Sequence, residues 1–186
     1  MSARHARNAY AAMYPSEVEQ LTLMDAFLPG IGAWRDVYDA PVWHFRFSGH
    51  TPELLVRGRE RTYFEHFWND FAADPKHSIP EADRRAYAKA YARPGRMAAG
   101  FAYFKSFLKT ASDFAELGKT QLPMPVASIG GEKANGEALG AQAKLISARP
   151  AVVIIKDSGH WMMEEKPEET IVAVTRELEK PATAQR

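Results

Sequence analysis

The stretch "VVIIKDSGHW" (residues 152–161) carries four consecutive β-forming residues and then a short polar turn that ends in His160 and Trp161. An apolar run of this length, bounded by turn residues, is typical of a buried strand in a parallel sheet. Ligands of open α/β sheets bind at the carboxyl ends of the strands. His160 therefore stands where a catalytic base acts. On spacing alone, the alternative is a loop histidine that satisfies a backbone carbonyl or packs against Trp161.

The segments before and after this run predict strands and helices in alternation. "MPVASIGG" (residues 124–131) is a second apolar run, and "VEQLTLMDA" (residues 18–26) alternates as a short strand does before it ends at Asp25. The other predicted elements outside the central insert are helices at residues 7–13, at residues 136–147 and from Pro167 onward. Strands that alternate with helices form βαβ units, so the sequence predicts an α/β fold with a parallel sheet.

A long helical insert at residues 28–118 interrupts this alternation. Its predicted helices cover residues 54–74, 78–94 and 95–117. The second of them has a capping-box spacing that begins at Ser78, and the third is expected to bend at Gly100. Residues 1–27 and 119–186 are thereby predicted to form one partial α/β core, from which the insert departs.

The composition excludes several classes of function. Apolar residues make up 46% and charged residues 25% of the 186 residues, the formal net charge is +1, and cysteine is absent. Such a chain has no charge excess that attracts nucleic acid, no thiolate for a zinc site or a disulfide, and no apolar run of membrane-spanning length. We expect a cytoplasmic protein with no metal, no cofactor, no nucleic-acid partner and no membrane partner.

Asp25 and His160 are the candidates for chemistry, because each follows a different predicted strand. Phosphate-binding, dinucleotide-binding and zinc-protease motifs are absent, and so is the G-x-S-x-G elbow. A carboxylate can hold the tautomer of an imidazole and stabilise its protonated form, and the imidazole then acts as a base. The alternative for Asp25 is a turn-capping role.

Five strings resemble a known family: "YPSEVEQLTLMDAFLPG", "WHFRF", "GRERTYFEHFW", "PVASIGGEKANG" and "DSGHWMMEEKPEE". Together they resemble the C-terminal half of α/β-hydrolases of the epoxide hydrolase and haloalkane or haloacetate dehalogenase group, over nearly the whole chain. The "SGHW…E.P" segment is the most specific of them, and the resemblance implies that His160 activates water. It also implies that residues 28–118 form a helical lid, and the aromatic residues of this lid suggest a small, largely apolar substrate.

The resemblance implies an acid partner for His160. Some relatives place this acid in a "MEA"- or "LDA"-like turn, which matches Asp25 in "LMDAFLPG". Relatives that place it one strand later match Ala134, which is no acid, and Glu132 is then the alternative. Asp25 is therefore the predicted acid.

Two lid residues are implied as substrate-binding groups. In some relatives the histidine of a "WHF" motif polarises an epoxide oxygen, and this histidine matches His44. The alternative is that His44 only packs in the core of the lid. A lid tyrosine has the same role in the family, but the matching position in "AYFKSF" is Phe104, with Tyr103 beside it. A phenylalanine cannot donate a hydrogen bond to a developing alkoxide, so only Tyr103 remains as the candidate phenol.

The nucleophile elbow of the family has no counterpart in this sequence. Counting back from Tyr14 and Pro15, it falls at or just before Met1, and "MSARHAR" offers only Ser2 without the glycine context. A base and an acid without a nucleophile are expected to be inactive alone. Three accounts stay open: a truncated hydrolase, one half of a split hydrolase, and a non-catalytic lid-bearing module that binds an apolar ligand. The strand "LTLM" is expected to expose a sheet edge that pairs with an N-terminal half-chain or with a second copy of this chain.

Overall fold

The protein is described here by a computed structural model that covers residues 3–40 and 42–180, with side chains from residue 7 onward. Its centre is a sheet of three parallel strands, β1 (Leu21–Met24), β2 (Val126–Gly131) and β3 (Pro150–Ile155), in the order β1-β2-β3. The prediction of an α/β fold with a parallel sheet is confirmed. Within the described residues, β1 and β3 are the two edge strands.

The central strand, β2, is buried along its whole length. Its small residues let the flanking helices come close: a Cβ on Gly130 would lie 2.5 Å from the Cα of Gly136. Parallel strands that are covered on both faces carry few polar side chains, and β2 has only Ser128. Because Met24 pairs with Ile129, the carboxyl ends of β1 and β2 lie side by side.

The helices divide between the sheet and the insert. In the described ranges they are α1 (Ala3–Met13), α2 (Trp34–Tyr38), α3 (His50–Val56), α4 (Glu60–Asp70), α5 (Glu81–Tyr91), α6 (Arg96–Lys105), α7 (Phe107–Leu117), α8 (Gly136–Ile146), α9 (Met162–Glu165) and α10 (Pro167–Leu178). Short 3₁₀ turns lie at Pro15–Glu17 and Trp43–Arg46. Helices α2 to α7 belong to residues 28–118, which we call the lid. Among the described residues, no helix is long and apolar enough to cross a membrane.

One apolar core joins α1, α7 and α8 to the sheet. Phe114, Val126, Leu139 and Ala143 have no exposed surface within it. Burying one Leu or Phe side chain stabilises a fold by about 2 kcal/mol, so this cluster holds the last lid helix against the sheet. A second cluster fills the lid, with Val56, Tyr63, Met97 and Phe101 at its centre.

Two predicted lid helices are broken at places the sequence did not indicate. The helix predicted over residues 54–74 is interrupted between α3 and α4, where Gly58 has a φ of +75°. The helix predicted over residues 95–117 breaks at Ser106 instead of bending at Gly100. Gly100 sits inside α6, where a Cβ would meet only the Tyr91 ring at 3.7 Å. A glycine in a helical pattern therefore marks a break in one case and an ordinary helical position in the other.

The predicted capping box of α5 is absent. The Ser78 hydroxyl donates its hydrogen bond to the carbonyl of Asp74, and the helix begins at Glu81, with Pro80 at the N-cap. The Ser78 hydroxyl is therefore used within the preceding turn and does not cap α5, because a serine side chain can bond a nearby backbone group instead.

Candidate active site

Asp25 follows β1 directly and is fixed by the neighbouring strand. Its backbone N–H donates to the carbonyl of Ile129 at 2.9 Å, and its Oδ1 accepts the N–H of Gly131 at 3.0 Å. The backbone of Asp25 is left-handed, with a φ of +35°, which turns the side chain across the end of the sheet. A Cβ on Gly130 would lie 2.9 Å from Oδ1, so the glycine leaves room for the carboxylate.

His160 meets Asp25 across this end of the sheet. The two groups are joined by Nδ1 of His160 and Oδ2 of Asp25, which lie 2.5 Å apart. The Asp25 side chain is 2% exposed, while that of His160 is 27% exposed. Because the carboxylate occupies Nδ1, the Nε2 atom of the same ring is left for chemistry.

The alternative acid, Glu132, lies elsewhere. It is exposed, and its carboxylate accepts the N–H of Asp157 at 3.0 Å. Ala134, the position that the sequence resemblance assigns to the acid of other relatives, lines the cavity described below but carries no titratable group. The geometry therefore pairs His160 with Asp25.

A cavity of about 700 Å³ separates the lid from the end of the sheet. Asp25 and His160 lie in its wall, and Lys133, Ala134 and Asn135 line it from the loop after β2. The lid side is largely aromatic, formed by Phe45, Tyr63, Phe64, Phe67, Phe71, Phe101, Tyr103, Phe104 and Phe107, among others. A cavity of this size and lining fits a small, largely apolar molecule.

His44 lies in the 3₁₀ turn Trp43–Arg46 and reaches the same cavity. It is 5% exposed, and its Nδ1 is buried without a hydrogen-bond partner in the described residues. Aromatic rings surround it, with Phe45 at 4.4 Å and Phe67 at 4.6 Å between centroids. Burial, followed by the neighbouring His66 and His160, lowers the pKa of His44 to about 4. Near neutral pH it is therefore an uncharged ring with a single N–H.

Tyr103 and Phe104 both line the cavity. Phe104, which the sequence resemblance matches to a lid tyrosine, places its ring 5.1 Å from that of His44. Tyr103 packs its ring edge-on against Phe107 at 4.9 Å. The lid thus brings His44 next to a phenylalanine, and Tyr103 is a neighbouring phenol on the same wall.

Tyr63 is a lid residue with a buried hydroxyl that the sequence did not indicate. Its hydroxyl is buried without a hydrogen-bond partner among the described residues, and its side chain contributes to the cavity wall. Burial, with a smaller contribution from Tyr91, raises the pKa of Tyr63 well above its usual value. The only sequence signal was a tyrosine among the phenylalanines of one helix face, and that pattern is equally typical of an apolar core position.

A smaller cavity of about 250 Å³ lies along β1. Arg7, Asp25, His160 and Glu164 are among the residues that line it, together with β1 itself. Both cavities therefore reach the pair of Asp25 and His160, one from the lid and one from the edge of β1 that no described strand occupies. Ser2, the one hydroxyl near the expected nucleophile position, lies outside the described residues.

Many solved structures resemble this chain, three of which follow. Cfl2 from Burkholderia cenocepacia is 30% identical, with a TM-score of 0.75 over 91% of this chain and 58% of that protein. The epoxide hydrolase CorEH is 18% identical, with a TM-score of 0.77 over 92% and 63%. The Cif epoxide hydrolase from Acinetobacter nosocomialis is 23% identical, with a TM-score of 0.71 over 89% and 55%. No protein-family model matches the chain, and no curated protein sequence does.

These neighbours identify the fold as that of α/β-hydrolases, and the resemblance to the epoxide hydrolase group found in the sequence is confirmed. The chain spans about three fifths of the length of the solved structures, and this coverage is consistent with a C-terminal half.

Proposed function

We propose that this chain supplies the base, its acid partner and the lid of a covalent hydrolase that acts on small, largely apolar substrates, epoxides first among them. The observation that carries the proposal is the 2.5 Å contact between Asp25 and His160 at the wall of the aromatic cavity. This contact joins residues that are 135 positions apart in the sequence, and both lie at the carboxyl ends of parallel strands.

In this proposal His160 acts on water. Asp25 accepts the Nδ1–H and thereby directs the lone pair of Nε2 toward the cavity. Nε2 removes a proton from water, and the resulting hydroxide attacks the ester that the substrate has formed with a nucleophile. The ester C–O bond breaks, the substrate oxygen takes the proton from His160 and leaves as an alcohol, and the nucleophile is regenerated as a carboxylate when the remaining proton of the water passes to solvent. A positioned general base typically accelerates such a step by about 10² to 10⁴-fold.

His44 and Tyr103 stabilise the oxygen that becomes negative when the substrate ring opens. A neutral His44 has one N–H to donate, and its low pKa keeps it uncharged, so that it does not repel the imidazolium that forms on His160. Tyr103 supplies a phenolic donor from the same wall, in place of the missing hydroxyl at Phe104.

We propose that the nucleophile belongs to a segment that pairs with the edge of β1 that no described strand occupies. An unpaired strand edge is a template for a further strand, and the cavity along β1 leads from this edge to Asp25 and His160. The segment is either a preceding part of a longer polypeptide or a partner chain. Self-pairing of two copies through β1 is the competing outcome.

A second candidate function is ligand binding without catalysis. It is favoured by the cavity itself, because residues of this chain line a space of about 700 Å³ between the lid and the sheet. This function predicts a cooperative thermal transition for the isolated chain that an apolar ligand raises.

The test compares the chain alone with the chain joined to the part of Cfl2 that it does not cover. Both proteins are assayed with styrene oxide, fluoroacetate and an aryl ester. We expect no turnover by the chain alone, turnover by the joined protein, and a loss of roughly 10³-fold or more in the His160→Ala variant. His77→Ala is the matched control, because His77 also bonds a carboxylate, Asp74, but lies on the exposed surface. Equal turnover by the joined protein and its His160→Ala variant would refute the proposal.

A further inference from the structure

Glu165, the last residue of α9, binds three backbone groups with one carboxylate. Its Oε2 accepts the N–H of Gly159 at 3.0 Å and that of Ala73 at 2.8 Å, and its Oε1 accepts the N–H of Trp161 at 3.1 Å. Gly159 and Trp161 flank the base, while Ala73 belongs to the lid just after α4. A single side chain thus connects the loop of His160 to the lid.

Two further hydrogen bonds join the same pair of segments. The backbone N–H of His160 donates to the carbonyl of Phe71 at 2.8 Å, and the indole N–H of Trp161 donates to the carbonyl of Phe67 at 3.0 Å. Gly159 lets the backbones touch, since a Cβ there would lie 2.4 Å from the Phe71 oxygen. The end of α4 and the His160 loop are therefore in direct backbone contact.

We infer that Glu165 is a positioning residue that clamps the His160 loop to the end of α4, so that the base and this part of the lid move as one body. Hydrogen bonds to a carboxylate are among the stronger ones in proteins, and here all three converge on one group. The clamp holds the backbone on both sides of His160, which leaves the imidazole little freedom to leave Asp25. For catalysis, this inference rests on the proposed role of His160.

The clamp has a consequence for lid motion. An outward swing of the end of α4 carries the His160 loop with it and separates Nδ1 of His160 from Oδ2 of Asp25, because Asp25 is held by β2 and does not follow. The base is therefore competent only while this end of the lid is closed. Substrate enters past another part of the lid or along β1.

The neighbouring Glu164 provides a matched control. It lies on the same short helix and carries the same charge, and it also contacts the lid, through the Tyr87 hydroxyl at 3.3 Å. It accepts no backbone N–H from the His160 loop in the described residues. Glu164→Gln therefore removes the same charge near His160 and leaves the clamp intact.

The test uses nuclear magnetic resonance on the chain itself, without substrate. The readouts are the low-field signal of the proton between His160 and Asp25, which Asp25→Asn identifies by its loss, and the amide exchange rates of Ala73, Gly159 and Trp161. In Glu165→Ala we expect the low-field signal to broaden or vanish, and the three amides to exchange roughly ten- to a hundredfold faster. Glu164→Gln should change neither readout.

Glu165→Gln keeps the test decisive if the alanine variant does not fold. A glutamine oxygen at the Oε2 position retains the bonds to Ala73 and Gly159 and loses the one to Trp161, so exchange should rise at Trp161 alone. An unchanged low-field signal in Glu165→Ala, with faster exchange confined to Gly159 and Trp161, would overturn the clamp. Because no turnover is measured, this result is independent of whether the proposed hydrolase activity is found.

Discussion

Acidification from pH 7 to pH 4 is expected to destabilise the protein through His44. In the unfolded chain this histidine takes up a proton as the pH falls through its usual pKa of 6.5, whereas in the folded protein its pKa is about 4. The unfolded state therefore binds more protons over this window, and the free energy of unfolding falls until the pH reaches about 4. The difference between the two pKa values, at about 1.4 kcal/mol for each pH unit, corresponds to about 3 kcal/mol.

The assay is equilibrium unfolding in urea at several pH values, for the wild type and for His44→Phe. Phenylalanine fits the ring of aromatic neighbours and carries no titratable group. It also removes the buried Nδ1 that has no partner in the described residues, so we expect His44→Phe to equal or exceed the wild type at pH 7. The wild type should lose about 3 kcal/mol more than the variant on going to pH 4. Parallel curves for the two proteins would refute the burial argument.

Three substitutions test how the backbone around the site is held. Gly130→Ala places a Cβ 2.5 Å from Gly136 and 2.9 Å from Asp25, both within fixed structure, and should cost about 1–3 kcal/mol in urea unfolding. Gly100→Ala should have the opposite effect, because Gly100 is helical and has room for a Cβ, and we expect it to raise the free energy of unfolding by about 0.5–1 kcal/mol. A lower free energy of unfolding in this variant would contradict the assignment of α6. Gln142→Leu removes three hydrogen bonds of 2.8–2.9 Å to the backbone of Leu28 and Ile31 and should cost about 3 kcal/mol, and an unchanged midpoint would show that the loop after Asp25 does not depend on them.

The sequence indicated the strand ends well because the signal there is local. A run of apolar β-formers followed by a polar residue marks the carboxyl end of a parallel strand, and both Asp25 and His160 follow such runs. Parallel strands bring their carboxyl ends to the same edge of the sheet, so the residues that follow β1 and β3 can meet across the end of β2, as the contact between Asp25 and His160 shows.

Contacts between distant segments left no local signal. Glu165 stood in the most specific string of the sequence, yet nothing in that string indicates its bond to Ala73, 92 residues away. The breaks at Gly58 and Ser106 were missed for the same reason, because the packing of the lid decides where a long helical pattern is interrupted. The buried hydroxyl of Tyr63 depends on neighbours that only the folded lid brings together.

The measurement that tests the central claim most directly is the intact mass of the joined protein after mixing with styrene oxide, for the wild type and for His160→Asn. If His160 activates the water that hydrolyses a covalent intermediate, His160→Asn should form the adduct on the added segment and retain it. The wild type should turn over with little adduct. Release of the adduct by His160→Asn at the wild-type rate would contradict the role proposed for the pair of Asp25 and His160.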